Sequence, residues 1–283
     1  QGGDPTSTPS VTVRGVGSQS GENVLWVVDG VPGAPLNMND IESIVILKDA
    51  ASAAIYGAQS GAAGVILVTT KKAKSGAPSV TYEGNFGVRT ATNLPQSLTV
   101  DEERRVREAS LAVNGAQLPA AWNSPEMSQT RTDWIDEIFR TAIYQRHQVS
   151  VQGGTKRLSN RLSFNYNDDE GTLLSTYNKT ASVRYNGSYR INDYITISED
   201  AMYSNNKKRG TNTDSGYSGV IWLAMSMPRS ARAYYDDGSF GGTSEIGSDD
   251  VAGLHGDLIN PIRQLRAHSL IDKTQKFSTT TNL

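Results

Sequence analysis

Strict alternation of apolar and polar residues after Pro78 is the feature that most restricts the fold of this chain. The clearest run spans 181–192, where small or apolar residues at odd positions alternate with polar residues at even positions. Similar runs begin at Val80, His147, Leu162 and Ile195, and a shorter one begins at Lys276. Successive side chains of a strand point to opposite faces, so each run predicts a half-buried β-strand. Strands of about ten residues are long enough to cross a bilayer when they are tilted.

The composition argues against several classes of function. The 283 residues carry a formal net charge of −2, which disfavours a nucleic-acid-binding protein that relies on a basic face. Cysteine is absent, so this chain holds neither disulfides nor thiolate metal sites. The three histidines, His147, His255 and His268, show no metal-ligand or catalytic-triad spacing. We therefore predict no catalytic residue, no metal site and no cofactor, and a protein that is not an enzyme.

The connections between the predicted strands alternate in length. Gly153–Arg157 and Asn192-Asp193 are tight, whereas 90–144 and 205–274 are long. This asymmetry is typical of outer-membrane β-barrels, which have short periplasmic turns and longer extracellular loops.

The first long loop contains two helix signals. Thr99 and Glu102 form a capping box ahead of a helix that reaches Val113. Thr132 is predicted to cap a second helix that contains Trp134. Trp134 and Tyr144 are conceivable sugar-stacking platforms, although an aromatic residue of an amphipathic helix is more often part of a core.

Before Pro78 the chain contains a compact strand–helix–strand unit, Asp40–Lys72. Two β-branched runs within it flank an alanine-rich helical stretch, 49–56. Upstream, Val24–Val28 is predicted as a buried strand, and Asp29-Gly30 as the tight turn that follows it. The polar Gln1–Ser10 is expected to be extended or poorly ordered.

Several short motifs in a fixed order carry a family resemblance. They are Leu25–Pro32, Asp40–Ile44, Leu47–Ala50, Ala54–Gly57 and Gly64–Lys71. Together they resemble the plug-domain signature of TonB-dependent outer-membrane receptors, and the Lys-Asp-Ala and Ile-Tyr-Gly forms are similar to the SusC/RagA branch. The chain departs from that branch at Trp26, where Tyr is usual, and at Gln59 and Ala63, where Arg and Asn are common.

The resemblance implies an α+β plug domain inside a transmembrane antiparallel β-barrel of about 22 strands. Residues 1–77 would be the C-terminal part of the plug, and 78–283 the N-terminal part of the barrel with about five or six strands and two long extracellular loops. So few strands cannot close around a plug, and an open wall would leave strand edges in lipid. We therefore expect the chain to be part of a longer polypeptide.

The resemblance also implies a function, which is active import of a nutrient across the bacterial outer membrane. The cargo would be an oligosaccharide or, less often, a peptide. The implied partners are a SusD/RagB-like surface lipoprotein that acts as a lid, TonB through a segment upstream of this chain, outer-membrane lipid, and a second transporter–lid pair. No nucleic acid is expected as a partner.

Two other functions stay open from the sequence. One is a siderophore or cobalamin receptor that works without a lid protein, which the plug alone permits. The other is a passive adhesin or structural barrel in which the plug-like unit is a static cap.

Two groups of residues are candidates for contact with the cargo. The first consists of amides in loops that the plug resemblance places beneath the ligand, and the second of aromatic residues interleaved with charges in the second long loop. The amides are Gln19, Asn23, Asn37 and Asn39, and the aromatic residues are Tyr217, Trp222, Tyr234 and Tyr235. The amides could equally satisfy turn backbone, and the aromatic residues could pack against neighbouring loops.

Overall fold

A computed structural model describes most of the chain. It covers residues 3–7, 24–48, 54–56, 64–125, 127–213, 215–244, 249, 253, 255–267 and 271–283. Within these residues, no helix has both the length and the apolar character needed to span a membrane.

Four strands form a small sheet in the order β2-β1-β4-β3. They are β1 (Leu25–Val28), β2 (Val31–Pro32), β3 (Ile41–Leu47) and β4 (Val65–Thr70). As predicted, Asp29 and Gly30 form the turn between β1 and β2, with φ values of 47° and 86°. Positive φ at both central residues is the requirement of a type I′ hairpin turn, for which Asp-Gly is a preferred pair.

The small sheet has its own apolar core. Strands β1 and β4 are parallel, and Val27 and Val65 are almost fully buried between them and their neighbours. Both strands of the predicted strand–helix–strand unit are confirmed, as β3 and β4. Between them Ala54–Tyr56 form a 3-10 turn, and the rest of the predicted helical stretch, 49–53, lies outside the described residues. A second 3-10 turn, Met38–Asp40, leads into β3.

Six antiparallel strands form a large sheet in chain order from β5 to β10. They are β5 (Gly76–Arg89), β6 (Ala142–Gly154), β7 (Leu158–Glu170), β8 (Tyr177–Arg190), β9 (Thr196–Arg209) and β10 (Ile271–Asn282). All six predicted strands are therefore confirmed. Strand β9 and strand β10 are longer than expected, because main-chain pairing continues from Asn205 to Arg209, where polar residues occupy both faces and no alternation marks the strand.

The large sheet is apolar on its outer face and polar on its inner face. Outer side chains such as Val80, Phe164 and Phe277 are 71%, 48% and 70% exposed, whereas inner Gln148 and Asn165 are 2% and 0% exposed. Outer residues on neighbouring strands are paired in register, as in the row Tyr82, Val149, Phe164, Val183, Tyr203 and Phe277. This inversion of the usual inside–outside pattern is expected of a wall with lipid on one side and a polar interior on the other.

The described parts of the loops at one end of the large sheet carry four α-helices. They are α1 (Val100–Val113), α2 (Trp134–Ile138), α3 (Val220–Ser226) and α4 (Pro261–Ala267). The capping box of Thr99 and Glu102 is present as predicted, but the prediction of Thr132 as the second cap was wrong. Asp133 caps α2 instead, because Thr132 turns its hydroxyl to the carbonyl of Ala231 in a buried hydrogen bond.

Helices α2, α3 and α4 share an apolar core. Trp134 is fully buried in it and donates its indole N–H to the carbonyl oxygen of Pro228 at 2.9 Å, so this residue is a core residue and not a stacking platform. At the other end of the sequence, residues 3–7 are more ordered than predicted. The carboxylate of Asp4 is buried and accepts hydrogen bonds from the backbone N–H groups of Thr6 and Thr211.

Candidate functional site

Asp40 joins the small sheet to the inner face of the large sheet. Its side chain is 1% exposed and lies at the end of the 3-10 turn before β3. The carboxylate accepts hydrogen bonds from Gln148 Nε2 at 2.7 Å, Ser163 Oγ at 3.2 Å and Asn165 Nδ2 at 3.3 Å. The backbone carbonyl of Asp40 also accepts the N–H of Lys71 at 2.8 Å, so the same residue closes the edge of the small sheet.

A second polar cluster lies between the β1–β2 turn and strands β8 and β9. Arg184 Nη2 is 2.7 Å from Asp29 Oδ2 and 2.7 Å from Asp200 Oδ1, and the Arg184 side chain is only 6% exposed. Lys72 Nζ lies 3.3 Å from Asp29 Oδ1. The cluster therefore holds two carboxylates and two cations, one of each contributed by the small-sheet segment and one of each by the wall.

The pKa of Asp29 reflects this environment. Burial of the carboxyl acts to raise its pKa, but hydrogen bonds from the hydroxyl and N–H of Thr70 and the positive charges of Lys72 and Arg184 outweigh burial. The net result is a pKa below the ordinary value of 3.8. The folded protein thus favours the charged form of Asp29, which is the form that binds Arg184.

We expect the attachment of the small sheet to weaken in acid through Asp29. Because the folded pKa is lower than 3.8, the stabilisation is complete above the unfolded value and is lost as pH falls through the folded value. Thermal unfolding of the small sheet, followed between pH 6 and pH 3, should therefore depend less on pH in Asp29→Asn than in the unmodified protein. An equally steep acid dependence in both proteins would contradict this assignment.

A polar cavity of about 490 Å³ lies between the Met38–Asp40 turn and the inner face of the large sheet. It is open to solvent, and the described residues that line it include no aliphatic side chain. The lining side chains are those of Asn39, Glu83, Asn85, Arg89, Tyr144 and Arg146. Because Asn39 lies in the turn that leads into β3 and the other residues lie on β5 and β6, the cavity exists only while the small sheet is docked on the large one.

The comparisons with known proteins agree with this architecture. Residues 1–65 match the family described as the TonB-dependent receptor plug domain. The chain is 34% identical over 242 residues to the TonB-dependent receptor SusC of Bacteroides thetaiotaomicron, which covers 80% of this chain and 23% of SusC. It is 33% identical over 254 residues to the TonB-dependent receptor P26 of Formosa agariphila, covering 86% of this chain and 25% of that receptor.

The fold is also similar to that of solved structures. The structure of the RagAB peptide transporter aligns with a TM-score of 0.68 and 24% identity, covering 84% of this chain and 31% of that chain. A second structure, of the RagAB peptide importer in its open-open state, aligns with a TM-score of 0.62. The chain belongs to the SusC/RagA family of TonB-dependent receptors. It spans about a quarter of the length of the curated relatives that it matches.

Family membership identifies the part of the receptor to which each sheet belongs. The small sheet belongs to the plug, and the large sheet is a segment of the antiparallel barrel wall, so the predicted fold class is confirmed. The relatives are described as receptors and transporters. The two polar clusters around Asp40 and Arg184 are therefore contacts between plug and wall.

The amides predicted to contact cargo fall in different places of the SusC/RagA fold. Asn39 lines the cavity between plug and wall, whereas Asn37 is buried and its side-chain oxygen accepts the N–H of Asn39 at 2.9 Å. Gln19 and Asn23 lie outside the described residues. Of the two amides that the structure describes, Asn39 alone is thus brought next to residues of the wall that could share a ligand with it.

The aromatic candidates lie in the loop between β9 and β10, where one pair of them is in contact and the other two contact other residues. The rings of Tyr217 and Trp222 are 5.7 Å apart, and Tyr217 is 87% exposed. Tyr234 packs on Phe240 at 5.5 Å, and the guanidinium of Arg232 lies 5.1 Å above the ring of Tyr235. Their contact with cargo stays a prediction.

Sequence reasoning missed the wall residues that face the plug. Asp40 meets partners that are 108, 123 and 125 residues away, and no local pattern links them. The available signal was the polar half of each alternating strand, which identifies inner-face residues as a class. It does not identify which of them lie opposite the plug.

Proposed function

We propose that this chain is part of a transporter that imports an oligosaccharide across the outer membrane in a TonB-dependent manner. A SusD/RagB-like lipoprotein would act as its extracellular lid. In this proposal the strands β5 to β10 cross the outer membrane, with the tight turns in the periplasm and the helical loops outside. The division between plug and wall lies near residue 77.

The observation that carries the proposal is the polar character of the contact between plug and wall. Within the described residues, each apolar core cluster belongs either to the small sheet or to the loops, and none joins the small sheet to the wall. The plug is attached through hydrogen bonds and ion pairs of Asp40, Asp29 and Lys72. Water can replace such contacts at a modest net cost, whereas separation of an apolar interface would expose hydrophobic surface. A plug of this kind can block the pore and still be displaced.

The relatives support the transport part of the proposal, whereas the choice of an oligosaccharide rests on the cavity. One is named as the TonB-dependent receptor SusC, and the similar solved structures are described as a peptide transporter, RagAB. The cavity between plug and wall is lined by amide, guanidinium, phenol and carboxylate groups, which suit a hydroxyl-rich solute better than a peptide with aliphatic side chains.

Growth experiments with the full-length gene would test the proposal. Cells that carry the gene should grow on at least one purified polysaccharide as sole carbon source, and should lose this growth when either the gene or TonB is deleted. Purification of the transporter from the outer membrane should also recover a surface lipoprotein. Growth that continues without TonB would instead favour a passive barrel, and dependence only under iron limitation would favour a siderophore receptor. TonB-dependent growth on a peptide mixture alone would refute the oligosaccharide part.

A further inference from the structure

Two arginines in the wall of the cavity share a single carboxylate. Arg89 Nη2 lies 3.0 Å from Asp169 Oδ1, and Arg146 Nη2 lies 3.3 Å from the same oxygen. Three other acids lie near them, and each has partners of its own. Glu83 has Lys71 Nζ at 3.9 Å, Glu170 has Arg140 Nη2 at 3.8 Å, and Asp4 accepts the backbone N–H groups of Thr6 and Thr211. The Arg89, Arg146 and Asp169 group therefore carries one positive charge in excess.

The geometry of the wall holds the two guanidinium groups in place. Tyr144 stands opposite both Gly87 and Asp169 in the strand register. A Cβ atom at Gly87 would come within 2.4 Å of the Tyr144 ring, so glycine is what allows this ring to lie flat on the wall. Arg89 reaches across the ring, with its Cζ 4.3 Å from the ring centroid, to a carboxylate two strands away. Stacking and ion pairing together restrict the Arg89 side chain before any ligand arrives.

Both guanidinium groups retain hydrogen-bond donors that meet no acceptor in the described part of the chain. Each arginine carries five N–H groups in a planar fork. Among the described residues, the hydrogen bonds made by the Arg89 and Arg146 side chains all use Nη2 and all end on Asp169. Their Nε and Nη1 donors are thus available to a ligand, and the side chains are 40% and 41% exposed. Asp169, at 16% exposure, is largely covered by its partners.

We infer that Arg89 and Arg146 form a binding site for an acidic group, a carboxylate or a sulfate, on the oligosaccharide that the transporter imports. This inference rests on the proposed function and adds the substrate class. Planar forks of N–H donors match the oxygens of carboxylate and sulfate in pairs, which distinguishes them from a lysine ammonium. The amides of Asn39 and Asn85, in the same cavity, are suited to the hydroxyl groups of the neighbouring sugar ring. Because Asn39 lies on the plug, a ligand in this cavity contacts the wall and the plug at once.

Calorimetric titration of the purified full-length transporter with its lipoprotein would test the site. The probes are trigalacturonic acid and its methyl ester, and a sulfated carrageenan oligosaccharide and its desulfated form. We expect each acidic probe that binds to bind at least about tenfold more tightly than its neutral counterpart, as charge-assisted hydrogen bonds would provide. The two pairs of probes separate a carboxylate site from a sulfate site.

A double variant, Arg89→Gln with Arg146→Gln, should lower the affinity for the acidic probe at least about tenfold and leave the neutral probe unchanged. Arg146→Lys keeps the positive charge but not the planar fork of donors. Its affinity for the acidic probe should lie between that of the unmodified protein and that of the double variant. The matched control is Arg157→Gln with Arg190→Gln, which removes two charges at the opposite end of the wall. Recovery of the lipoprotein with each variant establishes that the variant is folded.

Several results would overturn the inference. They are equal affinity for acidic and neutral probes, unchanged affinity in the double variant, and failure of both acidic probes to bind. TonB-dependent growth on a neutral polysaccharide that the double variant still supports would leave the proposed import intact while refuting the acidic site. Conversely, arginine-dependent binding of an acidic probe together with TonB-independent growth would refute import alone.

Discussion

Replacement of Asp40 by alanine should lower the free energy of plug attachment to the wall by about 3 kcal/mol or more. It leaves three buried donors without an acceptor, and each costs about 1–3 kcal/mol. The donors, on Gln148, Ser163 and Asn165, are all less than 5% exposed, so water cannot replace the carboxylate without rearrangement. Hydrogen exchange of the full-length transporter should show faster exchange in β1 and β4 of the plug. Exchange in the central wall strands should change little.

The matched control for this prediction is Glu42→Ala. Glu42 is two residues away, carries the same charge and is exposed on β3. The Glu42→Ala substitution should leave hydrogen exchange in the plug as it is in the unmodified protein. If Asp40→Ala and Glu42→Ala gave the same exchange pattern, the carboxylate of Asp40 would have no special part in attachment.

Replacement of Arg184 by methionine should also lower the free energy of plug attachment by about 3 kcal/mol, because it removes the central cation from a buried ion cluster. Among the described residues, the cation left beside Asp29 and Asp200 would be Lys72, which lies 3.3 Å and 3.9 Å from them and is 47% exposed. Opening of the plug, measured by hydrogen exchange in β1 and β4, should become roughly a hundredfold more frequent.

Removal of the two carboxylates should rescue this variant. The triple substitution Arg184→Met, Asp29→Asn and Asp200→Asn eliminates the uncompensated charges and should recover most of the lost stability. Arg190→Met, at the exposed end of the same strand, is the control for loss of a cation. Failure of the triple variant to exceed Arg184→Met would show that packing of the arginine stem, and not its charge, attaches the plug.

Local physics made several parts of this fold predictable from the residues. Side chains that alternate in character identify a strand and its two faces wherever one face meets lipid, and the six wall strands were found in this way. Asp29-Gly30 determines its own turn, since it accepts positive φ at both positions. Thr99 and Glu102 determine the start of α1 through bonds that span three residues. In each case the interacting groups are close in sequence.

Other parts were decided only when the strands were assembled. The C-terminal end of β9 and the N-terminal end of β10 depend on main-chain pairing between the two strands. Polar residues such as Asn205 and Lys207 carry no sequence pattern that predicts this pairing. Asp133 caps α2 in place of Thr132, because the Thr132 hydroxyl donates a hydrogen bond to the carbonyl oxygen of Ala231 elsewhere in the loops.

The sequence by itself determined the two kinds of sheet, the hairpin turn, the capped helix and the family. Only the tertiary structure decided which polar residues of the wall meet the plug. Asp40 and its partners, and Arg89 and Asp169, which are 80 residues apart, come together through strand register and sheet docking. Register is set by the sum of pairings over whole strands, so a single inner-face residue carries no signal of its partner. The candidate site therefore forms only when wall and plug are assembled. The alternating pattern predicted that the inner face of the wall is polar, but not which of its residues form the site.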